Sequence, residues 1–205
     1  MLILLDTGPT QAAIAPSELG DGVQVAQLLT PLTNYAYRGG RFAIDNGAFS
    51  SFDAPAFLRL LDRMRPHAGD CMFVSCPDVV GSARRTLEVF DRWHHKLHGF
   101  PVALVCQDGQ EDLEIPWDLI AAVFIGGSTE WKLSRHVEAI IAAAKTLDKW
   151  VHVGRVNTPE RFAKFASLGV NSIDGSGIAQ YSHMRHAIRR EVEEPKLFEA
   201  THGNL

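Results

Sequence analysis

Three cysteines, Cys71, Cys76 and Cys106, are all that 205 residues supply, and they form neither an even set nor a Cys-x-x-Cys pair. That scarcity excludes a disulfide scaffold. With no signal peptide in view, a reducing cytoplasm is the expected setting. No His-x-x-x-His pair or Cys/His cluster has the spacing of a zinc site. No Gly-x-Gly-x-x-Gly run or Walker loop is present either, so neither a metal nor a cofactor is expected. The opening "MLILLDTG" is apolar but soon interrupted, too short to cross a membrane, and no membrane partner is expected. An excess of positive charge is missing too. The net charge is −4, so any binding to nucleic acid needs a local patch rather than a global field.

What the chain does have is a recurring pattern. From residue 41 onward, apolar runs end in polar or glycine-rich tips, and an amphipathic stretch follows each. The runs are "RFAID", "CMFVSCPD", "PVALVCQDG", "IAAVFIGGS", "KWVHVGRVN" and "GVNSIDGSG". Helices are predicted over about 54–65, 82–98, 134–147 and 158–168. In the last, Thr158 reads as N-cap, Pro159 as the first helical residue and Gly169 as the stop. "DGQEDLEIPWD" is too short for a full helix and reads as a loop or single turn.

Strands apolar throughout, alternating with helices, indicate an α/β fold with a parallel sheet covered on both faces. Six such units plus an N-terminal portion containing "GVQVAQLLTPL" fit a compact (β/α)8 TIM-like barrel with an irregular first or last unit. An open doubly wound sheet is the alternative. The tail "EVEEPKLFEATHGNL" is polar and reads as loosely held.

In such a barrel the strand tips open onto one face, which carries the chemistry. An isolated acid at a strand end ordinarily caps a helix or shapes a turn. Here Asp45, Asp78, Gln107 and Asp174 would all converge on one mouth, with the glycine pair Gly126-Gly127 beside them. Acids and amides without a metal suit hydrogen bonding to a planar, donor-rich ligand such as a purine. They also suit chemistry at a glycosidic carbon, which needs two carboxyl groups in different roles.

Other polar residues read more plainly. His152, between valines, reads as a satisfied core histidine, and Trp117, Trp131 and Trp150 as packing residues. "RWHHKLH" reads as the end of a surface helix, where cations favour the dipole. Arg155 is balanced between binding phosphate at the mouth and pairing with a nearby acid. In "HMRHAIRR", Arg185, Arg189 and Arg190 recur at helical spacing; a solvated face is the default, but they form the best candidate for a DNA-backbone patch.

These tips resemble the tRNA-guanine transglycosylase superfamily, and most closely the short phage-type DpdA proteins, which place 7-deazaguanine bases in DNA. "IDNGAF" is similar to the family's Asp-Ser-Gly-Gly-Phe-like element, which implies that Asp45 is the base-contacting acid and proton acceptor. "VSCPDVVG" puts the next base-recognition acid at Asp78, and "LVCQDG" resembles the Val-Gln-Gly stretch and puts Gln107 on the base. "FIGGS" implies amide donors at Gly126 and Gly127. "VGRVNTPERFAKFASLGVNSIDGSG" resembles the family's Gly-x-x-Thr-Pro helix and the following strand, which makes Asp174 the nucleophile. Asn46 and Ala48 depart from the tRNA-enzyme motif, and Asn46 and Arg155 join the residues expected on the substrate.

The match runs in order over residues 41–177, and residues 1–205 read as one transglycosylase-like barrel domain. The structural zinc site of the tRNA enzymes has no counterpart, which favours DNA over tRNA as partner. The resemblance implies exchange of guanine in DNA for a 7-deazaguanine base (7-cyano-7-deazaguanine or a derivative) through an Asp174-glycosyl intermediate. The setting would be the cytoplasm, that of the host cell for a phage protein. Two other readings stand beside it. One is a phosphate-binding barrel lyase or isomerase, since "GVNSIDGSG" also resembles a phosphate loop; the other is a non-catalytic nucleic-acid-binding derivative of the fold.

Overall fold

The computed structural model describes residues 1–193. The polar tail expected to be loosely held falls mostly on residues 194–205, outside the described residues. Eight parallel strands close into a barrel in sequence order. They are β1 (Leu2–Leu5), β2 (Gln24–Leu29), β3 (Phe42–Ile44), β4 (Cys71–Ser75), β5 (Val102–Cys106), β6 (Ala122–Ile125), β7 (Trp150–Val153) and β8 (Ser172–Asp174). β8 closes on β1 with Ile3 opposite Ile173 and Leu4 opposite Asp174. The fold is therefore the compact (β/α)8 barrel and not the open sheet. The six apolar runs are six of its strands, and "MLILLDTG" and "GVQVAQLLTPL" supply the first two.

Helices α1 (Pro9–Leu19), α2 (Ala54–Met64), α3 (Ala83–Trp93), α4 (Thr129–Lys132), α5 (Arg135–Thr146), α6 (Pro159–Ser167), α7 (Ser176–Gln180) and α8 (Ser182–Glu193) wrap the outside. Their starts follow local chemistry. Asp53 accepts from the Ala56 amide at 2.9 Å, Ser82 from Arg85, and Thr158 from Arg161 ahead of Pro159. Phe57, Leu60, Leu61 and Met64 recur at helical spacing and bury one stripe of α2, each worth about 1.5–3 kcal/mol. Gly169, at φ +68°, ends the α6 unit in the left-handed region.

The irregular units are not the first or last. Residues 30–41 between β2 and β3 carry no helix. Gln27 instead pins that loop by donating to the Ala36 carbonyl and accepting from the Arg38 amide. Between β5 and β6 lie only two short 3-10 turns, Gln110–Asp112 and Trp117–Leu119, in keeping with the single turn expected there.

Alternation divides each strand between two cores. Outward residues such as Ile3, Val151, Val153 and Ile173 pack under the helices. Inward residues such as Leu4, Leu28, Phe73, Val105 and Phe124 fill the lumen. All three cysteines are free and buried, and burial pushes the Cys71 and Cys106 thiols up to about 12. Among the described residues, no helix is long and apolar enough to cross a membrane.

Candidate active site at the barrel mouth

The strand tips do converge. Asp45, Asn46, Asp78, Gln107, Gly126, Arg155 and Asp174 line one cleft, completed by Phe49, Val80, Val105 and Phe124. This lobe encloses about 460 Å3 of free space, part of it open to solvent. A second lobe of about 1000 Å3 shares Asp45, Phe49, Arg155 and Asp174 as its inner wall. Asp6, Thr30, Thr33, Ser50, Ser176 and Gln180 line its far side. The four shared residues thus stand between a narrow slot and a wider recess, both with mixed apolar and polar walls.

The slot is held from behind. Asp78 Oδ1 accepts from Asn46 Nδ2 at 2.9 Å, and Asp78 Oδ2 accepts from Gln107 Nε2 at 2.7 Å. Burial raises the Asp78 pKa, while these two donors and the charge of Arg155 oppose it. Gln107 Oε1 takes the Gly81 and Gly127 amides, at 2.9 and 3.0 Å. Asn46 spends its other amide proton on the Cys76 carbonyl and its oxygen on the Ala48 amide. Asn46 therefore holds Asp78 and has no proton left for a ligand, whereas Gln107 keeps one amide proton.

The glycine pair does a different job from the amide donation expected of it. The Gly126 amide donates to the Cys106 carbonyl and the Gly127 amide to Gln107. What glycine supplies is clearance: a Cβ at 126 would come 2.8 Å from Gln107 Nε2, and one at 127 would come 2.5 Å from the Trp131 ring.

The two central carboxylates have contrasting surroundings. Asp45 accepts from the Ser75 hydroxyl at 3.1 Å. Its pKa is pushed up to about 7, first by burial and then by the charges of Asp174 and Asp78. Asp174 accepts from His152 Nε2 at 2.9 Å on one oxygen and from the Arg155 amide at 3.0 Å on the other. Arg155 reaches that position with a left-handed backbone, φ +59°. Its guanidinium lies 4.2 Å over the exposed Phe49 ring and donates to the Gly127 carbonyl. Arg155 is thus a wall of the mouth tied to Asp174 through its backbone.

Three polar residues near the mouth were not among the expected site residues. Asp6, at the tip of β1, faces the second lobe and accepts from Thr33 Oγ1 at 2.6 Å; burial raises its pKa, and the Asp174 charge adds to that. Lys132 is buried and donates to the Gly154 carbonyl at 2.6 Å, and burial holds its pKa down to about 8. His152 is the core histidine expected, but it also reaches Asp174. Its V-H-V alternation was the available signal, since β7 neighbours β8 in a closed barrel.

The proposed DNA-backbone patch needs correction. Arg185 is buried, ion-pairs with Glu18 and donates to the Ile178 and Ala179 carbonyls, so it has no exposed charge to offer a phosphate. Arg189 pairs with Glu193 and sits beside Gly20, at the end of the barrel where the strands begin. Arg190 is exposed on the same closing turn of α8. Both lie far from the mouth in the fold. Among the described residues, no group of three or more His, Cys, Asp or Glu side chains is placed to hold a metal ion.

No family model and no curated protein matches the chain. Among solved structures it is similar to a cube-shaped, highly porous protein cage designed by fusing symmetric oligomeric domains. That likeness has 16% identity, covers 94% of this chain and 72% of the other, and has a TM-score of 0.50. It is also similar to a structure described as native KDPGal, at 14% identity over 94% of both chains and a TM-score of 0.49. At that identity the first likeness is one of fold alone.

Proposed function

We propose that this barrel is a base-exchange transglycosylase, taking guanine out of DNA and putting a 7-deazaguanine base in its place. One observation carries the reading. Asp45 and Asp174 share a cleft wall, yet one is titratable near neutrality and the other is gripped by two donors. Glycosidic chemistry with two carboxyl roles asks for such a division.

In this reading the base enters the slot between Val80, Val105 and Phe124, with the exposed Phe49 face available for stacking. Asp78 accepts from the N–H edge of the purine, and the remaining Gln107 proton meets its carbonyl. A base inside a duplex has to be flipped out to reach this slot, at a cost of a few kcal/mol. Asp174 attacks C1′ and the C1′–N9 bond breaks, with the Asp45 proton passing to the departing guanine. The incoming base then returns a proton to Asp45 as its N9 attacks C1′ and displaces the Asp174 carboxylate. Two inversions give net retention.

The second lobe speaks against the phosphate-binding rival. Asp6, Asp45 and Asp174 face it with Arg155 the one cation among its lining residues, a poor field for a dianion. It better suits the hydroxyls of a sugar. Incubating the protein with duplex DNA and 7-cyano-7-deazaguanine, then analysing the digested nucleosides by mass spectrometry, tests the reading. Deazaguanosine from wild type and none from Asp174→Asn is the expected result. A wild type that binds neither DNA nor base, but binds a sugar phosphate, would return the barrel to the phosphate-binding class.

A further inference from the structure

The lumen below the mouth holds a polar column that packing alone does not call for. A barrel of this size is ordinarily filled with branched apolar side chains, as this one is at Leu4, Leu28 and Val105. Between them, Trp150 Nε1 donates to Ser172 Oγ at 2.8 Å, and Ser172 Oγ lies 2.9 Å from His152 Nδ1. His152 Nε2 completes the run to Asp174 Oδ2 at 2.9 Å. Strand register builds the column, because His152 stands opposite Ser172 and both point inward with Asp174. Ser172 and His152 are fully buried, and the His152 ring packs 4.5 Å from Phe124 and 5.0 Å from Phe73.

Donor chemistry gives the column a direction. Indole N–H only donates, so Ser172 Oγ accepts there and must send its own proton elsewhere. Among the described residues its remaining partner is His152 Nδ1. That nitrogen is then an acceptor, and the ring proton lies on Nε2, aimed at Asp174.

We propose that the Trp150–Ser172 pair at Nδ1 and the Asp174 carboxylate at Nε2 together fix His152 as a neutral Nε2–H ring, and that His152 is thereby a positioning residue for Asp174. With His152 on one oxygen and the Arg155 amide on the other, the carboxylate plane is held still and its remaining lone pairs face the cleft. The mechanistic part rests on the transglycosylase reading, in which Asp174 is the nucleophile; the tautomer does not.

The experiment has two arms. Long-range proton–nitrogen correlation spectra of the 15N-labelled protein report the tautomer of each of its nine histidines, and a His152→Gln spectrum assigns the ring. A neutral Nε2–H ring in wild type is the expected result. In Ser172→Ala the proton stays on Nε2, where the Asp174 carboxylate still accepts, and the Nδ1 resonance moves because it has lost the hydroxyl that donates to it. An imidazolium or an Nδ1–H ring in wild type, or an Nδ1 resonance that does not move in Ser172→Ala, would overturn the column. In base exchange, Ser172→Ala should lose roughly 2- to 10-fold in kcat, the worth of one neutral hydrogen bond that holds the His152 ring, with KM for the base unchanged. His152→Gln, which keeps a donor and an acceptor, should retain more activity than the apolar His152→Leu. A merely structural role predicts lowered melting temperatures in all three variants with kcat intact. Absence of exchange by wild type would sink the transglycosylase reading, while the ring spectra would still decide the column.

Discussion

Gln107 directs its amide nitrogen at Asp78 Oδ2 from 2.7 Å, and its orientation is forced. Its oxygen is claimed by the Gly81 and Gly127 amides, so the amide cannot flip without losing both bonds and stranding the buried Gly127 donor. Gln107→Glu keeps those two bonds but sets a second carboxylate against Asp78. Affinity for a 7-deazaguanine base, read by calorimetric titration, should fall about tenfold or more. Unchanged affinity would mean that Asp78 does not meet the base.

Asp45 makes stability depend on pH. Its folded pKa of about 7 lies above the ordinary carboxylate value of 3.8, so the folded state holds a proton that the unfolded chain releases. Its contribution is fully present below pH 3.8 and is lost as pH rises through about 7. Asp45→Asn removes that loss. The variant should match wild type in melting temperature near pH 4 and exceed it above pH 7, while losing base exchange.

Phe49 presents an exposed ring to both lobes and rests on the Arg155 guanidinium. Stacking of a base on an aromatic is worth roughly 1–3 kcal/mol. Phe49→Ala should therefore raise KM for the incoming base by about 5- to 100-fold with little change in melting temperature.

Arg185 tests the correction to the surface reading. Arg185 is buried and its guanidinium donates to the Ile178 and Ala179 carbonyls as well as to the partly exposed Glu18. Losing a hydrogen bond from a charged donor costs about 1.5–3 kcal/mol. Arg185→Ala should lower the melting temperature sharply, whereas Arg189→Ala and Arg190→Ala should leave both stability and DNA affinity near wild type. A large loss of DNA binding in the latter two would restore the basic patch.

The sequence was most informative where local chemistry and period agree. Thr158-Pro159 opens α6 and Gly169 closes it as read, because capping is a matter of a few neighbouring residues. The tips carrying Asp45, Asp78, Gln107 and Asp174 were legible because apolar strands announce their own ends. Asp6 was not, because β1 looked like a stray apolar start until the barrel closed β8 upon it. The His152–Asp174 contact spans 22 residues and depends on which strands are neighbours, which no local pattern encodes. Arg185 misled for a related reason. Helical spacing of basic residues looks the same on a solvated face and on one buried against Glu18 of α1.

The central claim is that Asp174 becomes covalently linked to the sugar. Wild-type protein should be mixed with guanine-containing DNA, quenched in acid within one turnover and mapped by peptide mass spectrometry. The account predicts a deoxyribosyl adduct on the peptide containing Asp174, absent from Asp174→Asn and discharged when 7-cyano-7-deazaguanine is added before the quench. Base exchange without that adduct, or an adduct on Asp45 or Asp6 instead, would contradict it.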